Sequence, residues 1–206
     1  MQNRRQFLNT VGQVALVAGS SILLPRQLKA ASQLTEEGRL HHLTILHTND
    51  VHSRIAPFPM DGGRHQGRGG IARRTALIEQ IRKEVPNVLL LDAGDMFQGT
   101  PYFNYFNGEL ELKLMSKMGY DVGTIGNHDF DAGLENLQQQ TQQHANFPLV
   151  NCNYDFKNTA LSGHIKPYQV VQKGPLKIGI LGVGVELNGL VPQPLYGETQ
   201  YLDPLV

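Results

Sequence analysis

Three apolar runs, each followed by a cluster of polar residues, set the frame of this chain. Leu43-Thr44-Ile45-Leu46 leads into Asp50-Val51-His52, Val88-Leu89-Leu90-Leu91 into Gly94-Asp95, and Val122-Gly123-Thr124-Ile125 into Gly126-Asn127-His128-Asp129. Apolar runs of this length predict buried parallel strands whose C-terminal ends carry polar chemistry. Between the first two lies a loop holding Pro57, Pro59, Gly62, Gly63, Gly67, Gly69 and Gly70. A helix follows over 71–84, with Ile71, Thr75, Ile78, Ile81 and Val85 on one face and Pro86 at its end. A shorter helix after Asn107-Gly108 carries a stripe of Leu110, Leu114, Met115 and Met118, closed by Gly119. That stripe reads as core packing.

Past the third run, the pattern predicts a Gln-rich helix over 132–144 and a strand over 147–152. Segments 166–172 and 176–181 form a hairpin around Lys173-Gly174. Strands alternating with helices and then a hairpin define an α/β protein, a sandwich with a mixed sheet.

Composition changes the picture only at the N-terminus. The 206 residues are 40% apolar and 17% charged, which is globular. Lys+Arg equals Asp+Glu at 18 each, but residues 1–31 hold Arg4, Arg5, Arg26 and Lys29 and no acid. Without these four, 14 basic side chains face 18 acidic ones, so a nucleic-acid polymer is not an expected partner. Arg4-Arg5-Gln6-Phe7-Leu8 is similar to a twin-arginine export signature. An apolar stretch from Val11 to Leu24 follows it, then Pro25 and the small residues Ala30-Ala31-Ser32. Residues 1–31 are therefore expected to be an export signal read by the twin-arginine translocase, 32–42 a lead-in, and 43–206 the working domain. The expected location is periplasmic or otherwise exported. Gly12, Gln13, Gly19, Ser20 and Ser21 dilute the apolar stretch too far for a stable membrane span. The one cysteine, Cys152, reads as a small buried strand residue.

In open α/β sheets ligands bind beyond the carboxyl ends of the strands. Asp50, His52, Asp95, Asn127 and His128 then gather on one edge. Hard oxygens mixed with imidazole suit a pair of divalent cations: Mn, Zn, Fe, Mg or Ca. Asp50 and His52 are two apart, and in extended chain they point the same way. His128 and Asp131 are three apart at a helix start and can meet. Taken singly, any of these acids reads as a cap or turn residue. Asp131 in particular reads also as a helix cap. No P-loop and no Ser/His/Asp arrangement is present.

Ile45-Leu46-His47-Thr48-Asn49-Asp50-Val51-His52, Leu91-Asp92-Ala93-Gly94-Asp95 with Gly99-Thr100, and Gly126-Asn127-His128-Asp129-Phe130-Asp131 together resemble the calcineurin-like metallophosphoesterases, in their bacterial 5′-nucleotidase and UDP-sugar hydrolase branch. The resemblance implies an α/β/β/α sandwich with mixed sheets. It implies one metal on Asp50, His52 and Asp95, and a second on Asp95 and Asn127. Asn127 and His128 would hold the phosphate. His128 would stabilise the phosphoryl transition state or protonate the leaving oxygen, with Asp131 orienting its ring. The implied reaction is hydrolysis of a small phosphate ester, a nucleotide or a relative, by a water activated between the metals. Further histidine ligands belong to later segments of the family domain. Residues 43–206 are therefore expected to be its N-terminal part, incomplete at the C-terminus. The competing expectation is a catalytically incompetent remnant that binds metal weakly at most.

Overall fold

Strand β2 (Val88–Asp92) is buried at four of its five positions and forms the axis of the fold. The computed structural model describes residues 40–204, so the expected export signal lies outside the described residues. β1 (Thr44–Thr48) runs parallel to β2, in register from Thr44 opposite Val88 to Thr48 opposite Asp92. β3 (Val122–Gly123) pairs in parallel on the other side, Leu91 opposite Val122. All three expected strands thus end on one edge, in the order β1-β2-β3.

Helices α1 (Ile71–Glu84), α2 (Pro101–Phe106) and α3 (Glu109–Met118) connect these strands. Gly119 ends α3 with φ +71°, and its N–H returns to the Met115 and Ser116 carbonyls. The core-facing residues of α3 are Glu111, Leu112, Met115 and Met118, while Leu110 and Leu114 are only half-buried. Met115 and Met118 of the expected stripe face the core, but Glu111 and Leu112 replace Leu110 and Leu114 there, which draws a glutamate into the core. Leu46, Leu90, Met96, Phe97, Ile125 and Phe130 join these residues in one apolar cluster.

A 3-10 turn (His128–Phe130) precedes α4 (Leu134–His144), which begins after Gly133 at φ +86°. The helix expected over 132–144 therefore starts later. Asp131 is not its cap, because Gly133 takes that place.

The strand expected over 147–152 does not form a continuous ladder. Its amides turn to three partners in succession: Val150 to Gly123, Asn151 to Lys166 and Cys152 to Gly182. Cys152 is exposed there, against the expectation of burial. The hairpin forms as foreseen, with β5 (Tyr168–Lys173) antiparallel to β6 (Leu176–Leu181). β4 (Tyr154–Asp155) pairs with β7 (Gln200–Tyr201) beyond a short α5 (Gln193–Tyr196), a pairing of two short segments with no sequence signal. The fold is mixed α/β with parallel and antiparallel sheets.

Ile45 and His47 alternate outward from β1, away from the core that Leu46 joins. On that side a cavity of about 270 Å³ is lined by His47, Leu91, Thr124, Val150 and residues 180–183. Ile45, Tyr168, Val170, Leu181 and Val183 are exposed. No helix among the described residues is long and apolar enough to cross a membrane.

Candidate metal centre

The loops after β1 and β2 lie against each other. The Asp50 N–H donates to the Gly94 carbonyl at 3.0 Å, His52 N–H to Asp95 at 3.1 Å and Ser53 N–H to Met96 at 3.0 Å. Asp50, His52, Ser53 and Asp95 all take positive φ, from 44° to 57°. Asp50 and His52 therefore converge through a left-handed turn, not through the extended chain the spacing suggests. Such backbone costs roughly 1–2 kcal/mol per non-glycine residue and persists where surrounding bonds hold it.

The result is a cluster in which Asp50, His52 and Asp95 each offer a ligand atom within 4.8 Å of the others. His52 Nε2 lies 3.8 Å from Asp50 Oδ1 and 3.9 Å from Asp95 Oδ2. His52 Nδ1 sits 3.2 Å from the Phe97 carbonyl, a pure acceptor, so Nδ1 carries the proton and Nε2 presents its lone pair to the carboxylates. Two carboxylates and a correctly oriented imidazole are a donor set that fits a divalent cation. Asp50 is exposed and Asp95 buried, so the cluster opens to solvent on one side.

The third loop fixes the second through Asp129. This fully buried carboxylate accepts the backbone N–H groups of Asp95 at 3.0 Å, Met96 at 2.8 Å, Phe97 at 3.0 Å and Gly126 at 2.8 Å. Burial pushes its pKa up to about 7, against the opposing pull of the Gly126 and Phe97 amides. The His128 N–H donates to Asp95 Oδ1 at 2.9 Å, leaving Oδ2 toward His52. His128 Nδ1 meets Asp131 Oδ2 at 2.9 Å, and that bond raises the imidazole above its ordinary pKa. The His128 ring stands edge-on to His52, centroids 5.1 Å apart. The His128–Asp131 pair thus adjoins the Asp50, His52 and Asp95 cluster. Asn127 sits half-buried at the head of the 3-10 turn, between the Gly126 and His128 anchors.

Two glycines make the approach possible. A Cβ at Gly126 would collide with the Asp95 carboxylate and amide, and one at Gly94 (φ +95°) with the backbone of Gly126. Neither loop can carry a side chain at this crossing.

Several contributors carried no sequence signal beyond lying beside the motifs. Asp92 Oδ2 accepts Thr48 Oγ1 at 2.5 Å, its Oδ1 takes the Gly94 N–H at 2.9 Å, and Thr48 Oγ1 lies 2.6 Å from the Tyr120 hydroxyl. Burial lifts Asp92 to about 6, although Thr48, Gly94 and Arg74 all favour its charged form. Arg74 is half-buried near Asp92 and Tyr120, while Arg73 is exposed and bonds the Gly67 carbonyl. His47 is exposed. His164 bonds Thr141, and Asn151 and Asn153 hold their own turn and Gly184.

Loops closing on acid and imidazole groups at the carboxyl edge of a parallel sheet define a candidate divalent-cation site. The chain belongs to the calcineurin-like phosphoesterases, whose family profile matches residues 43–199. It is 39% identical over 179 residues to snake venom 5′-nucleotidase of Crotalus adamanteus, covering 84% of this chain and 30% of that protein. Human 5′-nucleotidase is 41% identical over 147 residues, covering 68% of this chain and 26% of that one. Among solved structures, the 5′-nucleotidase precursor of Thermus thermophilus superimposes with TM-score 0.71 at 35% identity, over 79% of this chain and 32% of that one. The NAD nucleotidase of Haemophilus influenzae gives TM-score 0.67 at 29% identity, over 79% and 30%. The chain thus spans about 30% of the length of these relatives.

Proposed function

We propose that this chain carries active-centre residues of an exported, dinuclear phosphoesterase acting on nucleotides or related phosphate esters. The observation that carries the reading is the contact between the two groups of residues: His128, held by Asp131, stands 5.1 Å from the His52 ring. Asp50, His52 and Asp95 would hold one divalent cation, and Asp95 with Asn127 would contribute to a second. When bound, such cations would supply Lewis acidity toward water and the phosphate oxygens. The chain's own residues do the rest. Asn127 and His128 face the phosphate, His128 donates a hydrogen bond or a proton toward the leaving oxygen, and Asp131 fixes the ring. Arg4-Arg5 directs export of the folded protein through the twin-arginine translocase. Replacing both with lysine should block export, and unchanged export rejects that part.

The activity is tested by phosphate release from AMP with Mn²⁺, comparing Asn127→Ala and His128→Ala with the parent chain. Both variants should lose most turnover and stay folded. Full turnover in either rejects the assignment. A second reading, a polypeptide that holds a cation weakly without turnover, is favoured by the exposed apolar residues Tyr168, Val170, Leu181 and Val183. Cation binding without phosphate release selects it.

A further inference from the structure

Two buried polar side chains line one small cavity at the loop that carries Asp50 and His52. Glu111, on α3, is 3% exposed and Ser53 is 1% exposed. Neither oxygen of the Glu111 carboxylate nor Ser53 Oγ has a hydrogen-bond partner among the described residues. Both line one cavity of about 10 Å³, shared with Val51, Arg54 and Arg74. A buried carboxylate without partners is strongly unfavourable, and an apolar residue beside Leu112 and Met115 would avoid that cost. The cavity has the size of a single water, which needs roughly 10–15 Å³. Its charges select the occupant. Arg54 and Arg74 disfavour a cation and Glu111 disfavours an anion, so a neutral donor and acceptor remains.

We propose that one ordered water bridges Glu111 and Ser53, and that through it Glu111 is a positioning residue for segment 50–53. The water donates to the carboxylate and exchanges a hydrogen bond with the hydroxyl, satisfying both groups. Ser53 has φ +51° and follows His52 directly, so a tether at Ser53 holds the left-handed turn that aims the imidazole. The effect on cation affinity rests on the function proposed above, whereas the effect on loop order does not.

The test compares Glu111→Gln, Glu111→Met, Ser53→Ala and the Glu111→Met/Ser53→Ala pair. Amide hydrogen exchange at His52 and Ser53 is read together with Mn²⁺ binding. Glu111→Met should speed exchange in that segment about tenfold and weaken Mn²⁺ about tenfold, the lower end for groups that orient a metal ligand. Amides of β2 and α4 should keep their protection. Glu111→Gln, which keeps an acceptor oxygen, should restore both readouts. Ser53→Ala should match Glu111→Met, and the pair should be no worse than either alone, because both act through one water. Unchanged exchange in both single variants, or additive effects in the pair, overturns the inference. Should Glu111→Met unfold, Ser53→Ala alone decides by the same exchange readout. Absence of Mn²⁺ binding by the parent chain rejects the metal reading, and the exchange data still decide the role of Glu111.

Discussion

Asp129 accepts the backbone N–H of Asp95 at 3.0 Å across 34 residues of sequence. With Met96, Phe97 and Gly126 on the same carboxylate, this one side chain organises the second and third loops of the site. Asp129→Ala should strand four amide donors at a buried position. Each orphaned donor costs about 1–3 kcal/mol, so the loss of unfolding free energy should exceed about 3 kcal/mol. Urea titration measures it. Mn²⁺ affinity should fall with it, and a variant of parent stability contradicts the role.

The crossing of Gly94 and Gly126 gives a sharper probe. Gly126→Ala leaves every polar group in place yet sets a methyl against the Asp95 carboxylate. Asp95 must move, and with it the oxygen facing His52 Nε2. Mn²⁺ binding should weaken by an order of magnitude or more, as when a group orienting a ligand is lost. Isothermal titration reads it, and parent-like affinity shows that the loops can yield without cost.

Among the described residues, the Asp131 side chain bonds the site only through His128. Asp131→Asn removes the charge that holds the ring but keeps the side chain's size. Turnover should drop about 100-fold or more, in the range of general acid–base contributions, while Mn²⁺ affinity stays at the parent value. Equal loss of both assigns Asp131 to the fold and not to the reaction.

Asp92 makes stability depend on pH. Its folded pKa of about 6 stands above the ordinary carboxyl value of 3.8. A carboxyl raised on folding stabilises in its protonated form. That stabilisation is present below about pH 4 and is lost as pH rises through about 6. Asp92→Asn cannot ionise. Between pH 4 and pH 7 the unfolding free energy should shift in favour of Asp92→Asn by about 2 kcal/mol relative to the parent. Chemical denaturation at the two pH values checks this, and a constant difference refutes it.

The strands, their order of use and the residues gathered at their ends were legible because buried parallel strands announce themselves as apolar runs. What could not be read was how the gathering is achieved. Asp50 and His52 have the spacing of strand neighbours but sit in left-handed backbone, which is fixed by bonds to residues 94–96 far along the chain. Glu111 hides inside a Leu/Met pattern, where helical periodicity blurs one position into the next. The 147–152 segment has strand composition, yet its amides find three successive partners. In each case tertiary contacts, which leave no local signature, decide the outcome.

The long-range bonds among the three loops also fix when the centre can exist. A chain emerging from the ribosome as far as Asp95 already holds Asp50, His52 and Asp95, but not the carboxylate that gathers the Asp95, Met96 and Phe97 amides. The anchor, Asp129, arrives 34 residues later. A cation at this cluster would therefore meet its complete donor set only after the third loop has closed on the second.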